Sequence, residues 1–113
     1  MKRVINPEEI IRDYLQQNVL IPIRMEGREP TGEEIHSGVI TAAAILLINL
    51  TTFDNYCLDS EFGKGSNITI ITKVAEKIDE GFKSAHPDLA YSQLLIKKQC
   101  DLLESDMPIQ SLI

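Results

Sequence analysis

Two histidines and two cysteines, His36, His86, Cys57 and Cys100, are the side chains of this sequence best suited to metal or nucleophilic chemistry. A zinc site gathers three or four such ligands, commonly a few residues apart. His36 and His86 stand fifty residues apart, and neither has a second His or Cys at helical spacing. A nucleophilic thiol needs a basic neighbour to lower its pKa, and nothing adjacent to either cysteine supplies one. Cys100 is expected on the apolar face of a helix, as a buried thiol. Without a CxxC pair, both cysteines read as free thiols in a reducing compartment, although a lone bridge between them stays open.

Three further patterns fall short of the chemistry they evoke. "DSEFGKG" places acids at alternate positions as a calcium loop does, but Gly63 stands where a third oxygen ligand is needed and no Glu falls twelfth. "FGKGS" lacks the GxxxxGK[ST] frame of a phosphate loop and follows no strand. Asp59 and Glu61 form a carboxylate pair, yet nothing apolar around them gives either a reason for a raised pKa. The expectation is therefore a protein that is not an enzyme and carries no cofactor and no metal.

Charge placement is more informative. The net charge is −6, and from Glu26 to Glu61 seven acids face one base, Arg28, while the remainder balances at ten of each. The acids Glu26, Glu29, Glu33 and Glu34 precede or open a helix, where exposed N–H groups favour negative charge. Asp54, Asp59 and Glu61 instead follow that helix, where the dipole is unfavourable, and no Lys or Arg occurs between Arg28 and Lys64. The same segment holds Phe53, Tyr56 and Phe62, three of the six aromatics. Acids beside aromatic anchors are the composition of a protein-binding surface. Phe53, Asp54, Asn55, Tyr56, Asp59, Glu61 and Phe62 are the expected partner-binding residues. The opposing expectation is that Phe53 and Tyr56 close the core and the acids are merely solvated.

The elements that position these residues follow from periodicity. Asn6, Pro7, Glu8 and Glu9 make the cap, first turn and dipole partners of a helix, with Ile5 and Ile10 spaced as a hydrophobic staple. Its inner face is Ile10, Ile11, Tyr14 and Leu15, and it ends near Asn18. "VLIPIRM", residues 19–25, reads as a short extended segment because of Pro22. Thr31 and Glu34 have capping-box spacing, and the helix they open is apolar nearly all round, with a narrow polar stripe through Glu34, Ser37 and Thr41. A third helix runs from about Asn67 to Ser84 on Ile68, Ile71, Ala75, Ile78 and Phe82, with Asp79 on its wet side; its β-branched start leaves 68–72 open between helix and strand. After a break at His86 and Pro87, a fourth helix carries Leu89, Ile96, Cys100 and Leu103, and the chain frays from Ser105.

The whole is expected to be one all-α domain over residues 1–113, a compact bundle of about four helices around a buried central helix at about 33–56. The apolar run Gly38–Leu50 rises only ~20 Å against the ~30 Å of a hydrocarbon core and is flanked by acids, so a membrane span is not expected. Nor does the start "MKRVINPEEI" leave room for a signal peptide, which points to the cytoplasm. An acidic chain without clustered Lys and Arg does not bind nucleic acid directly. The expected function is that of a small acidic interaction module, of the immunity or antitoxin type, which neutralises a toxin or nuclease with a basic surface. A phage anti-defence or nucleic-acid-mimicking regulator shares that physics. A structural subunit of a homo-oligomer is the third expectation.

Overall fold

The computed structural model describes residues 2–53, 55–84, 90–105 and 108–113; expectations for Asp54, His86, Pro87 and Leu89 lie outside them. The chain runs β1 (Arg3–Ile5), α1 (Pro7–Leu15), a π-helical turn Gln16–Leu20, α2 (Ile21–Met25), α3 (Gly32–Thr52), β2 (Tyr56–Leu58), a 3-10 turn Ser60–Phe62, α4 (Asn67–Phe82) and α5 (Tyr91–Glu104). The fold is a compact all-helical bundle in which α3 packs against α1, α4 and α5. Among the described residues the one sheet is two parallel strands, β1 beside β2.

Local rules govern the helix starts. Asn6 accepts from the Glu9 N–H at 3.1 Å, with Pro7 in the first turn. Thr31 and Glu34 close a full capping box, Thr31 Oγ1 accepting from the Glu34 N–H at 3.2 Å and Glu34 Oε1 from the Thr31 N–H at 3.0 Å. Arg28 then grips Glu34 with two parallel bonds of 2.8 and 2.9 Å. This pairing holds the Glu34 carboxyl well below the usual carboxylate range, at about 2. A lowered folded pKa gives stability that is present above the unfolded value of about 4.5 and is lost as pH falls through about 2. Acid titration of thermal stability is expected to show a fall across that window, and the fall should be shallower in Glu34→Gln; equal slopes would remove Glu34 as its source.

Residues 19–25 are helical, not extended. Pro22 lacks the N–H that an α-helix would direct to residue i−4, and its ring crowds that carbonyl. The π-helical register of Gln16–Leu20, immediately before it, widens the turn and lets the chain pass through without a break. Ile21, directly before the proline, holds helical angles of −63° and −52° despite the usual bias there.

The central helix is α3, and it ends at Thr52 rather than near residue 56. Phe53 is extended, and at Tyr56–Leu58 β1 offers ladder partners that further turns of helix would forgo. Nearly every side chain from Val39 to Leu50 is buried. At 21 residues, α3 is longer than its apolar run and by length could cross a bilayer, but 72% of its most apolar window is covered by the protein's own elements. Gly38 permits the closest approach: a Cβ there would lie 2.7 Å from Val19 and 2.8 Å from Leu15, so α1 and the π turn can reach α3 only over a glycine.

Residues 68–72 are helical. Ser66 caps α4, and its N–H acceptor role at Thr69 resolves the β-branched start in favour of helix. The helix stops at Phe82 with Lys83 in the left-handed region, φ 56°, a position glycine takes at lower cost. Lys83→Gly is expected to stabilise the fold by about 0.5–1 kcal/mol, read as a higher urea midpoint at unchanged slope.

The face of α5 is rotated from the expected one. Tyr91 and Leu95 are buried, whereas Ile96 and Leu103 are 50% and 64% exposed and Cys100 is exposed rather than a core thiol. Nor does the final segment fray throughout. Residues 108–113 return to α3, where buried Asn49 donates Nδ2 to the Gln110 carbonyl at 3.3 Å and accepts the Leu112 N–H on Oδ1 at 2.6 Å.

Candidate functional site

The segment following α3 takes its shape from β1. Arg3 N–H donates to the Asn55 carbonyl at 2.7 Å and Asp59 N–H to the Ile5 carbonyl at 2.9 Å, with Val4 level with Cys57 between them. Ile5 is buried, and Tyr56 and Leu58, two residues apart on one face of β2, pack half-buried against the core. Phe62 does the same from the 3-10 turn. Tyr56 and Phe62 therefore close the bundle, while Phe53, 43% exposed, is the aromatic presented outward.

Asp59 has a structural task, since its Oδ1 accepts from the Glu61 N–H at 3.0 Å and caps the 3-10 turn. Its other oxygen and the exposed Glu61 carboxylate form no ion pair among the described residues. The ladder brings Arg3 level with Tyr56, at the opposite end of β2 from Asp59, with no ion pair between Arg3 and Asp59 or Glu61. Sequence distance concealed that neighbour. Asn55, exposed, contributes its backbone carbonyl to the first rung.

A strand turns the N–H and C=O of alternate residues to the same side. With Asn55 and Asp59 bonding inward, Tyr56 and Leu58 direct theirs to the opposite edge, where no partner is found among the described residues. Parallel ladders usually occur inside larger, covered sheets, and two strands alone are marginal. The sheet is open in the middle of the segment that carries the acids and Phe53.

Three acids of the other group, ahead of α3, are paired with arginines. Glu29 bonds Arg24 at 3.2 Å, while Glu26 and Glu34 share Arg28 at 3.5 and 2.8 Å. A groove of about 530 Å³ lies alongside, between α3 and the π turn, with Tyr14, Asn18, Ile23, Glu33, Ser37 and Thr41 on its walls. Burial pushes the Tyr14 hydroxyl pKa up.

Asp79, expected on the wet side of α4, lies instead in a polar junction in the core. Asp79 is fully buried, not solvated, and its carboxylate accepts from Tyr91 Oη at 2.7 Å and Ser84 Oγ at 2.8 Å and is bonded to His36 Nδ1 at 2.8 Å. The His36 and Tyr91 rings meet edge to face, with centroids 5.7 Å apart. The signal was present: Asp79 falls four residues after Ala75 and three before Phe82, on the inward stripe, as His36 falls four before Ile40. An imidazole oriented by a carboxylate is half of a general-base pair. Here the same carboxylate also holds Tyr91 and Ser84, and the arrangement joins α3, α4 and α5. A shallow hollow of about 250 Å³, lined by His36, Ser37, Leu94 and Lys98 among others, adjoins it. Among the described residues, no three His, Cys, Asp or Glu side chains converge as a metal-binding group.

No protein-family model, curated protein or solved structure matches this chain.

Proposed function

We propose that this chain is an acidic protein-interaction module of the immunity or antitoxin type, acting in the cytoplasm, whose segment 53–62 covers a basic surface on a toxin or nuclease. The open edge of β2 supports the reading most directly. It offers the backbone donors and acceptors of Tyr56 and Leu58, which have no partner among the described residues, to an extended stretch of partner, the manner in which strand addition gives affinity. Asp59 and Glu61 lie at one end of that edge and Phe53 at the other, so electrostatic attraction and an aromatic contact flank the backbone pairing. Arg3 sits on β1, across the ladder from the free edge of β2.

The test is comparative capture. Immobilised wild type and the double variant Asp59→Asn, Glu61→Gln are exposed to host lysate, and the association rate of any basic protein retained by the wild type is measured at two salt concentrations. Asn at 59 keeps the cap of the 3-10 turn. The expected result is a rate reduced about tenfold at low salt, with a flatter salt dependence. Identical rates for the two proteins would place the interaction elsewhere.

A further inference from the structure

The helix α5 is apolar on two sides. One side, through Tyr91 and Leu95, is buried in the bundle; the other, through Ile96, Cys100 and Leu103, faces outward at intervals of four and three residues. Such spacing makes one continuous stripe on a helix, the seam by which a helix meets a partner helix. One turn before Ile96, Ser92 borders a hollow of about 290 Å³ between α4 and α5, where Thr72 Oγ1 is buried without a hydrogen-bond partner among the described residues. The uncovered face therefore extends over the start of α5 as well.

Its charges say what fits. Lys97 follows Ile96 and Glu104 follows Leu103, seven residues apart, so both lie on the same flank of the stripe within about 20° of each other. Neither forms an ion pair among the described residues. Measured along the helix from Cys100, Lys97 stands about 4.5 Å to one side and Glu104 about 6 Å to the other. A copy of α5 laid antiparallel about a two-fold axis at Cys100 brings its Glu104 level with Lys97 and its Lys97 level with Glu104, on the same flank. Leu103 then falls opposite Ile96, twice, and the two thiols face each other. A parallel pair would instead set like charges at equal height.

We propose that the partner of this face is a second copy of the chain, packed antiparallel through α5 as an isologous dimer. Three side chains and a shallow hollow cover less than the ~800 Å² per partner of a standard stable interface. The dimer is accordingly weak and concentration-dependent. It uses no residue of the segment 53–62, so it stands apart from the capture of a basic partner.

Cys100 supplies the probe. In a full-length Cys57→Ser background, a short bis-maleimide, which adds to one thiol at each end, is expected to yield covalent dimer in proportion that rises with protein concentration. Ile96→Asp should suppress the product, Lys97→Glu should lower it several-fold, and the double reversal Lys97→Glu, Glu104→Lys should restore it. These residues are exposed, so far-UV circular dichroism should be unchanged throughout. Equal yields from all four proteins would overturn the proposal, as would failure of the double reversal to recover, or sedimentation as a strict monomer at the highest concentration reached.

Discussion

Replacing Asp79 with Ala is expected to cost about 3–5 kcal/mol of folding stability, the largest effect of any single polar substitution in this chain. Asp79 is fully buried and is the common acceptor for Tyr91, Ser84 and His36. Removal leaves a cavity and takes from Tyr91 and His36 their bond to the carboxylate, while Ser84 Oγ keeps only its 3.2 Å bond to the main-chain carbonyl of residue 79, and each buried bond lost costs about 1–3 kcal/mol. Against a typical total of 5–15 kcal/mol, such a loss brings the domain close to unfolding at ambient temperature. Asp79→Asn keeps the shape and one carbonyl oxygen, so about 1–3 kcal/mol is expected. Urea unfolding followed by circular dichroism separates the cases, and a small effect of both variants would show that the junction is dispensable. The magnitude follows from convergence, since α3, α4 and α5 each bring a donor or the acceptor to one point.

The second large effect distinguishes neighbours on α5. Leu95→Ala is expected to destabilise by about 2–5 kcal/mol, because Leu95 is fully buried and truncation removes both transfer energy and packing. Ile96→Ala, one residue on, should change stability by less than about 0.5 kcal/mol, as its side chain is half exposed. The contrast is a direct measure of which way α5 is turned. Comparable losses at both positions would mean that Ile96, not only Leu95, is packed in the folded monomer.

That rotation of α5 shows where sequence reasoning reached its limit. Helix starts were legible because capping is local: Asn6 and Thr31 each accept from the N–H three positions on, and Pro7 fixes its own φ in the first turn. The burial of α3 was legible too, since apolarity on every side admits one environment. Alpha5 carries two apolar stripes, Tyr91 with Leu95 and Ile96 with Cys100 and Leu103, and periodicity alone cannot rank them. Pro22 misled for a different reason: a proline argues against regular helix, and only the preceding π turn, which has no local sequence signature, accommodates it.

The candidate interaction segment was half legible. Its acids and aromatics stood out by composition, but the composition gave no hint of β2, because β2 exists only where Arg3–Ile5 lies alongside it. The ladder packs Tyr56, and the 3-10 turn Phe62, half-buried against the core, and Phe53, Glu61 and the free strand edge lie outside. The junction at Asp79 leaves a signal in the spacing of α4. A charged residue on an apolar stripe is ordinarily assigned to water, yet its spacing from Ala75 and Phe82 already pointed inward.

The return of residues 108–113 to α3 carries a consequence for how this sequence tolerates change. Asn49 holds Gln110 and Leu112 through their main-chain carbonyl and amide, groups that every residue except proline possesses in full. The contact thus prescribes an alignment and leaves the alphabet at 110 and 112 almost free. The information for that stretch of chain resides sixty residues upstream, in one amide whose two ends must be neither exchanged nor charged.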